Sequence, residues 1–180
     1  MSAGSLSAPV IGIAGWKKSG KTTLAVRLIE AFTQRGFRVA SIKHAHHNFR
    51  IDDAETDSAR HRRAGARQVA IVSSQRWALI SELGGAAEPD IAAVLGQLLP
   101  CDLVIVEGYK SAPIPKIETR RAVARGEALA PKDPRIIAIA ADHAVEGAGL
   151  ATFRLDDIEA IGEFITRTLG LKLPGTRGGP

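Results

Sequence analysis

The chain has 180 residues, 45% apolar and 24% charged, with a formal net charge of +5. This is an ordinary balance for one globular domain, and the basic excess suits phosphorylated ligands while being too small to argue for DNA or RNA by itself. A single cysteine, Cys101, excludes an internal disulfide framework, and no apolar run approaches the ~18 residues that cross a membrane.

Residues 1–9 (MSAGSLSAP) are small and polar, without the basic start and apolar stretch of a secretory signal. They read as a flexible lead-in, and a cytoplasmic location is expected. Val10 to Ala14 is an apolar run that predicts a buried strand. It leads directly into Gly15-Trp16-Lys17-Lys18-Ser19-Gly20-Lys21-Thr22, which fits the phosphate-loop pattern G-x-x-x-x-G-K-[ST], with Thr23 following. In such a loop, successive backbone N–H groups converge on one spot at the start of a helix, where the first amides are unpaired and partly positive. Lys21 supplies charge for the β- and γ-phosphates, and the Thr22 hydroxyl suits Mg²⁺. Leu24, Leu28 and Phe32 then share one face of a helix expected from Lys21 to about Arg35, with Gly36 as its stop.

Phe37 to Lys43 alternates as a second strand, and strands separated by a helix imply a parallel sheet. His44 to Ala66 is polar, with a helical candidate from about Thr56 to Ala64. Gln68–Ser73 and Arg76–Ser81 read as two strands joined by a tight turn at Ser74-Gln75. Pro89 is expected to open a helix that presents Val94, Leu95, Leu98 and Leu99 to the core, ended by Pro100. Asp102–Val106 is a fully apolar strand pattern apart from its first residue, Lys116–Arg120 a possible short strand, and Ile136–Ala140 another buried one. Ala151–Leu155 is a short apolar piece. The last helix is expected near Asp156, with Glu159 three residues on and Ile158, Ile161, Phe164, Ile165 and Leu169 facing the core. One domain over 10–170 and a loose tail over 171–180 follow.

Beyond the phosphate loop, six groups carry candidate chemistry. Glu107 follows four apolar residues, the Walker B pattern, and is a candidate for holding Mg²⁺ with Thr22. Asp52, Asp53 and Asp57 lie in the connection after the second strand; one of them either serves Mg²⁺ or the attacking water, or the stretch is solvated and caps the next helix. Lys21, Asp52, Asp57 and Glu107 form the candidate catalytic set. His44, His46 and His47 lack the spacing and cysteines of a zinc site; with Lys43 they suit contacts to phosphate or a pterin, or are plain surface histidines. Arg60, Arg62, Arg63 and Arg67 are either a solvated helix face or a grip on a second phosphorylated ligand or acidic partner. Lys110, Lys116, Arg120 and Arg121 read as a second basic group. Asp142, at the end of the IIAIA strand, is a candidate for guanine, since a carboxylate accepts from guanine N1 and N2, although no N-K-x-D string is present.

GWKKSGKTTL (Gly15–Leu24), KHAHH (Lys43–His47), Asp57-Ser58 with RHRRAGA (Arg60–Ala66), and DLVIVEGYK (Asp102–Lys110) occur in this order. The set resembles the molybdopterin-guanine dinucleotide biosynthesis adapter family, MobB, over about residues 9–169. The resemblance implies an α/β, three-layer P-loop NTPase (Rossmann-like) fold with a mainly parallel sheet and a small antiparallel extension. It also implies a homodimer that binds GTP and Mg²⁺, hydrolyses GTP weakly at most, and assists the guanylyltransferase MobA. Gly15 to Thr23 would hold the phosphates. Lys43, His44, His46, His47 and the Arg60–Arg63 cluster would face a molybdopterin-type cofactor or MobA. Ala45 stands where the family commonly has Asp. Two other readings of the motifs are a small-molecule P-loop kinase, with Arg60–Arg67 as its lid, and a metallochaperone NTPase, suggested by the histidines. Neither nucleic acid nor membrane is expected as a partner.

Overall fold

The computed structural model describes residues 8–45, 56–145 and 149–174. They fall into two compact units, one built from residues 1–44 and 94–180 and the other from 45–93.

The larger unit is a six-stranded sheet. Its strands are β1 (Val10–Ala14), β2 (Val39–Lys43), β5 (Leu103–Glu107), β6 (Lys116–Arg120), β7 (Ile136–Ala141) and β8 (Ala151–Arg154), in the spatial order β2-β5-β1-β6-β7-β8. Every pairing in it is parallel. The hydrophobic pattern dictates this arrangement: β1, β5 and β7 are nearly continuous apolar runs, as strands covered on both faces must be. Helix α1 (Lys21–Gln34) buries Leu24, Leu28 and Phe32 in the same cluster as Ile11, Ile13 and Ile105, and α4 (Ile158–Thr168) adds Ile161 and Ile165. Phe37 falls just outside β2, which starts later than its alternation suggests, yet it is buried edge-on against Phe32 at 5.5 Å.

The smaller unit holds α2 (Asp57–Arg63), capped by the Thr56 hydroxyl accepting from the Ala59 N–H, and the hairpin β3 (Gln68–Val72) and β4 (Trp77–Ser81). The hairpin is antiparallel, with Val72 opposite Trp77 and the turn closed by the Ser73 N–H donating to the Arg76 carbonyl at 2.9 Å.

Two helix expectations are corrected. The helix after Pro89 is short, α3 (Ile91–Leu95); Asp90 rather than the proline organises its start by accepting from the Ala93 N–H, and Leu99 is 73% exposed. The final helix is capped by Asp157, which accepts from the Ala160 N–H, because the Asp156 carboxylate is turned to Arg154.

The least expected element is β6. Its sequence KIETR reads as polar, yet it lies in the middle of the sheet with Lys116, Ile117, Glu118 and Thr119 all buried. Each polar side chain has a partner. The fully buried Lys116 ammonium donates to Asp133 at 2.9 Å. Glu118 accepts from Arg120 at 2.8 Å and from the Leu129 and Ala130 amides at 2.8 and 2.9 Å. Lys116 and Arg120 therefore do not belong to the surface basic group expected from sequence; burial with these acids takes them out of it.

Burial opposes ionisation of Asp133, but hydrogen bonds from Arg135 and Lys116 outweigh it and lower its pKa to about 2. A carboxylate whose folded pKa lies below its unfolded value contributes stability above the unfolded value, and that contribution fades as pH falls through the folded one. Asp133→Asn leaves the Lys116 ammonium buried without its ionic partner and is expected to cost about 3–5 kcal/mol at neutral pH. Urea unfolding should show the gap between wild type and variant constant above about pH 5 and closing between about pH 4 and pH 2.

Candidate functional site

The sheet places the ends of β1, β5 and β6 side by side. Ile13 is in register with Glu107 on one flank and with Ile117 on the other, and Ala14 is opposite Glu118. The loop that leaves β1 is therefore flanked by the last residue of β5 and the last turn of β6. Gly15 is required there: a Cβ at this position would lie 2.4 Å from Ser19 Oγ and 2.5 Å from Thr119 Oγ1. The loop then curls so that the Ser19 N–H donates to the Trp16 carbonyl at 3.1 Å, with Lys18 held at φ +66° in the left-handed region. Gly20, at φ +96°, passes the chain into α1. The first turn of α1 leaves its leading amides without intrahelical partners and pointing back toward the loop.

Ser19 is the buried anchor of this curl. Its hydroxyl lies 2.7 Å from Thr119 Oγ1, and Thr119 donates to the Ala14 carbonyl at 3.2 Å. Because the Thr119 proton is directed to Ala14, Ser19 is the donor to Thr119. Two strands and the loop are tied in one relay.

On the opposite flank, the Thr22 hydroxyl donates to Glu107 Oε1 at 2.6 Å, and Lys43 Nζ is 3.6 Å from the other carboxylate oxygen. Lys21 Nζ donates to the Trp16 carbonyl at 2.7 Å. Burial lowers the Lys21 pKa from the ordinary lysine value; Glu107 opposes the shift, while Lys110 and Lys43 reinforce it. The structure thus brings together Lys21, Thr22, Lys43 and Glu107. A hydroxyl and a carboxylate oxygen at this separation form a hard-oxygen pair of the kind Mg²⁺ takes, so the residues present fit that ion.

The motifs KHAHH and VEGYK also meet. The His44 N–H donates to the Glu107 carbonyl at 2.9 Å, and its ring stacks on Tyr109 with centroids 4.2 Å apart. Gly108, at φ +92°, makes room for this: a Cβ there would stand 3.0 Å from that of His44.

Asp142 leaves the end of β7 and lines a cavity of about 550 Å³ with Thr23, Arg27, Arg121, His143 and Arg154. Its Oδ1 accepts from the Ala122 N–H at 2.8 Å and lies 2.9 Å from His143 Nδ1. Those two hydrogen bonds, that of His143 first, hold its pKa below the usual aspartate value, so it is an anion at neutral pH. The cavity runs from the first turn of α1 to this carboxylate.

Asp57, Arg60 and Arg63 sit on α2 in the smaller unit, where Arg60 is 3.6 Å from the largely exposed Asp57 carboxylate. His46, His47, Asp52 and Asp53 lie outside the described residues. Sequence reasoning missed Thr119, whose role depends on a contact 100 residues away; it named Arg121 only as one of a second basic group, and the structure sets its Nε 3.4 Å from where a Gly20 Cβ would be. It placed Lys110 in a second basic group without a contact, and the structure sets Lys110 Nζ 3.7 Å over the Trp16 ring. Among the described residues no three acids, histidines or cysteines cluster as a metal site, and no helix is long and apolar enough to cross a membrane.

A parallel sheet with a phosphate-loop sequence at the end of its central strand, and a small antiparallel pair beside it in sequence, defines a P-loop NTPase-like α/β protein. Residues 10–142 match the family of molybdopterin guanine dinucleotide synthesis protein B, MobB, and the chain belongs to it. The molybdopterin-guanine dinucleotide biosynthesis adapter protein of Escherichia coli is 36% identical over 167 residues, covering 91% of this chain and 94% of that one. The adapter protein of the same description from Haemophilus influenzae is 38% identical over 138 residues, 77% of each chain. A crystal structure of molybdopterin-guanine biosynthesis protein B superposes with a TM-score of 0.67 at 30% identity, covering 89% of this chain and 99% of that one.

Thr119→Val removes the acceptor of the buried Ser19 hydroxyl and is expected to lower stability by about 1–3 kcal/mol. Thr119→Ser keeps the relay and should recover most of the loss. Equal stability of the valine variant and wild type in chemical denaturation would contradict the relay.

Proposed function

We propose that this protein is a GTP-binding adapter in molybdopterin guanine dinucleotide synthesis, with slow GTP hydrolysis at most. The observation that carries the reading is the conjunction at the end of β1: Lys21 and the first amides of α1 on one side, and the Thr22–Glu107 contact on the other. The adapter role is supported by the description that the relatives carry.

The amides of Trp16 to Lys21 would receive the phosphate oxygens, with Gly15, Lys17, Lys18, Ser19, Gly20 and Thr23 shaping the cradle. Lys21 would exchange the Trp16 carbonyl for the β- and γ-phosphates. Thr22 and Glu107 would hold Mg²⁺, which when bound supplies charge that offsets the phosphate oxygens. The cavity beside Thr23 would take the nucleoside, and Asp142 would accept from the guanine edge. No group in the described site is assigned to activate water, and turnover is accordingly slow. Lys43 and His44, with His46, His47, Arg60 and Arg63, would face the molybdopterin-type cofactor or the guanylyltransferase MobA that uses the nucleotide.

Titration calorimetry with Mg²⁺ tests this reading. GTP should bind more tightly than ATP, and Lys21→Ala should weaken GTP by roughly 10- to 100-fold, the worth of a charge-assisted contact. Asp142→Ala should bring GTP and ATP closer together. Absence of heat with GTP, GDP and ATP alike would sink the proposal.

The hairpin supports a homodimer. Val72 is 75% exposed and Trp77, directly opposite, is 62% exposed, with Leu79 on the same face. A two-stranded sheet with an apolar outer face and unpaired edges is marginal alone, and a second copy offers a matching surface. Sedimentation of the full chain should give the dimer mass for wild type and the monomer mass for Trp77→Asp.

A further inference from the structure

Residues 121–130 form a strap that crosses the end of the larger sheet and touches three separate parts of the candidate site. At its start, the Ala122 N–H donates to Asp142 Oδ1 at 2.8 Å, and Arg121 lies beside Gly20. At its far end, the Leu129 and Ala130 amides donate to the buried Glu118 carboxylate. Its middle is held by Trp16, the first variable residue of the phosphate loop. The indole Nε1–H donates to the Glu127 carbonyl at 2.6 Å. Gly126 lies so close under the ring that a Cβ there would stand 2.5 Å from ring carbons. Lys110 covers the ring at 3.7 Å. A cavity of about 280 Å³, lined by Trp16, the strap, Thr119 and His143, leaves the strap room to shift.

A tryptophan is not needed to bind phosphate, since the loop uses its main chain for that. The Trp16 carbonyl is engaged by the Lys21 ammonium, while its side chain is engaged by the strap. One residue therefore joins the cation that meets the phosphate tail to the segment that contacts the base-reading carboxylate. We propose that Trp16 is a positioning residue that keys the 121–130 strap to the phosphate loop. Through the Ala122 amide the strap then aims the Asp142 carboxylate, so that the hold on the tail and the reading of the base are coupled. This rests on the nucleotide reading above and deepens it by assigning base selectivity to a side chain that touches no base.

The chemistry fixes the signature. Loss of the indole frees the strap and lets the Asp142 carboxylate turn, while the amides and Lys21 remain. Selectivity for the guanine 2-amino group falls, and affinity for a bare phosphate chain does not. A residue that merely stabilised the fold would move both together.

The test uses the full chain. Calorimetry compares GTP, inosine triphosphate, which lacks the 2-amino group, and inorganic tripolyphosphate for wild type, Trp16→Ala and Gly126→Ala; the last keeps the indole and pushes it off the strap. Both variants should lower the GTP-to-inosine-triphosphate preference by about fivefold, and Gly126→Ala, which leaves every phosphate-loop residue in place, should change tripolyphosphate affinity less than about twofold. In a Trp77→Phe background, Trp16 emission should respond to GTP, and trypsin should cut after the exposed Arg121 and Arg125 faster in both variants than in wild type, with or without nucleotide. A preference unchanged in both variants overturns the coupling, and unchanged strap cleavage overturns the keying itself. A wild-type chain that binds no nucleotide overturns the nucleotide reading and with it the coupling, while strap cleavage still decides whether Trp16 holds the strap.

Discussion

The structure depends on where β1 sits. It is hydrogen-bonded on both edges, to β5 and to β6, so the chain leaving it emerges between two strand ends and cannot drift. That constraint turns a flexible glycine-bounded octet into a fixed curl. Glu107 meets Thr22 from one side, and Thr119 meets Ser19 from the other. Parallel pairing is what allows it, since all the carboxyl ends then lie along one border of the sheet.

The electrostatics of that border follow from the same geometry. Lys21, Lys43 and Lys110 converge near a single carboxylate, Glu107, and their mutual repulsion adds to burial in disfavouring the charge on Lys21. An anionic ligand would relieve this crowding. The antiparallel hairpin solves a different problem in a separate unit, where the large apolar side chains of Val72, Trp77 and Leu79 are exposed and, among the described residues, the outer strand edges have no partner strand.

Much of this was legible in the chain itself. VIGIA, LVIV and IIAIA are apolar throughout, and such runs between helices pack as interior parallel strands. The octet between the first of these and an amphipathic helix has one plausible geometry. The hairpin was legible too, from two short apolar runs and a two-residue turn. KIETR was legible as a short strand but not as a buried, central one, because a buried Lys, Glu or Thr is acceptable only with a partner, and the partners Asp133, Leu129 and Ser19 are distant in sequence. The same reason hid the contacts of Arg121 and Lys110, which the sequence showed only as members of a basic group. The helix after Pro89 was overread because Leu98 and Leu99 extend its periodicity, while the chain leaves the helix at Leu95.

The buried ion pair of β6 has a bearing on how the chain assembles as it is made. β1, α1, β2 and β5, packed mainly through apolar side chains, are all synthesised before β6. Lys116 then emerges 17 residues ahead of the acid that neutralises it. Sealing that ammonium into the sheet earlier would strand a charge in a medium that cannot solvate it. The β6 border of β1 can be closed with its charge satisfied only once Asp133 is part of the chain.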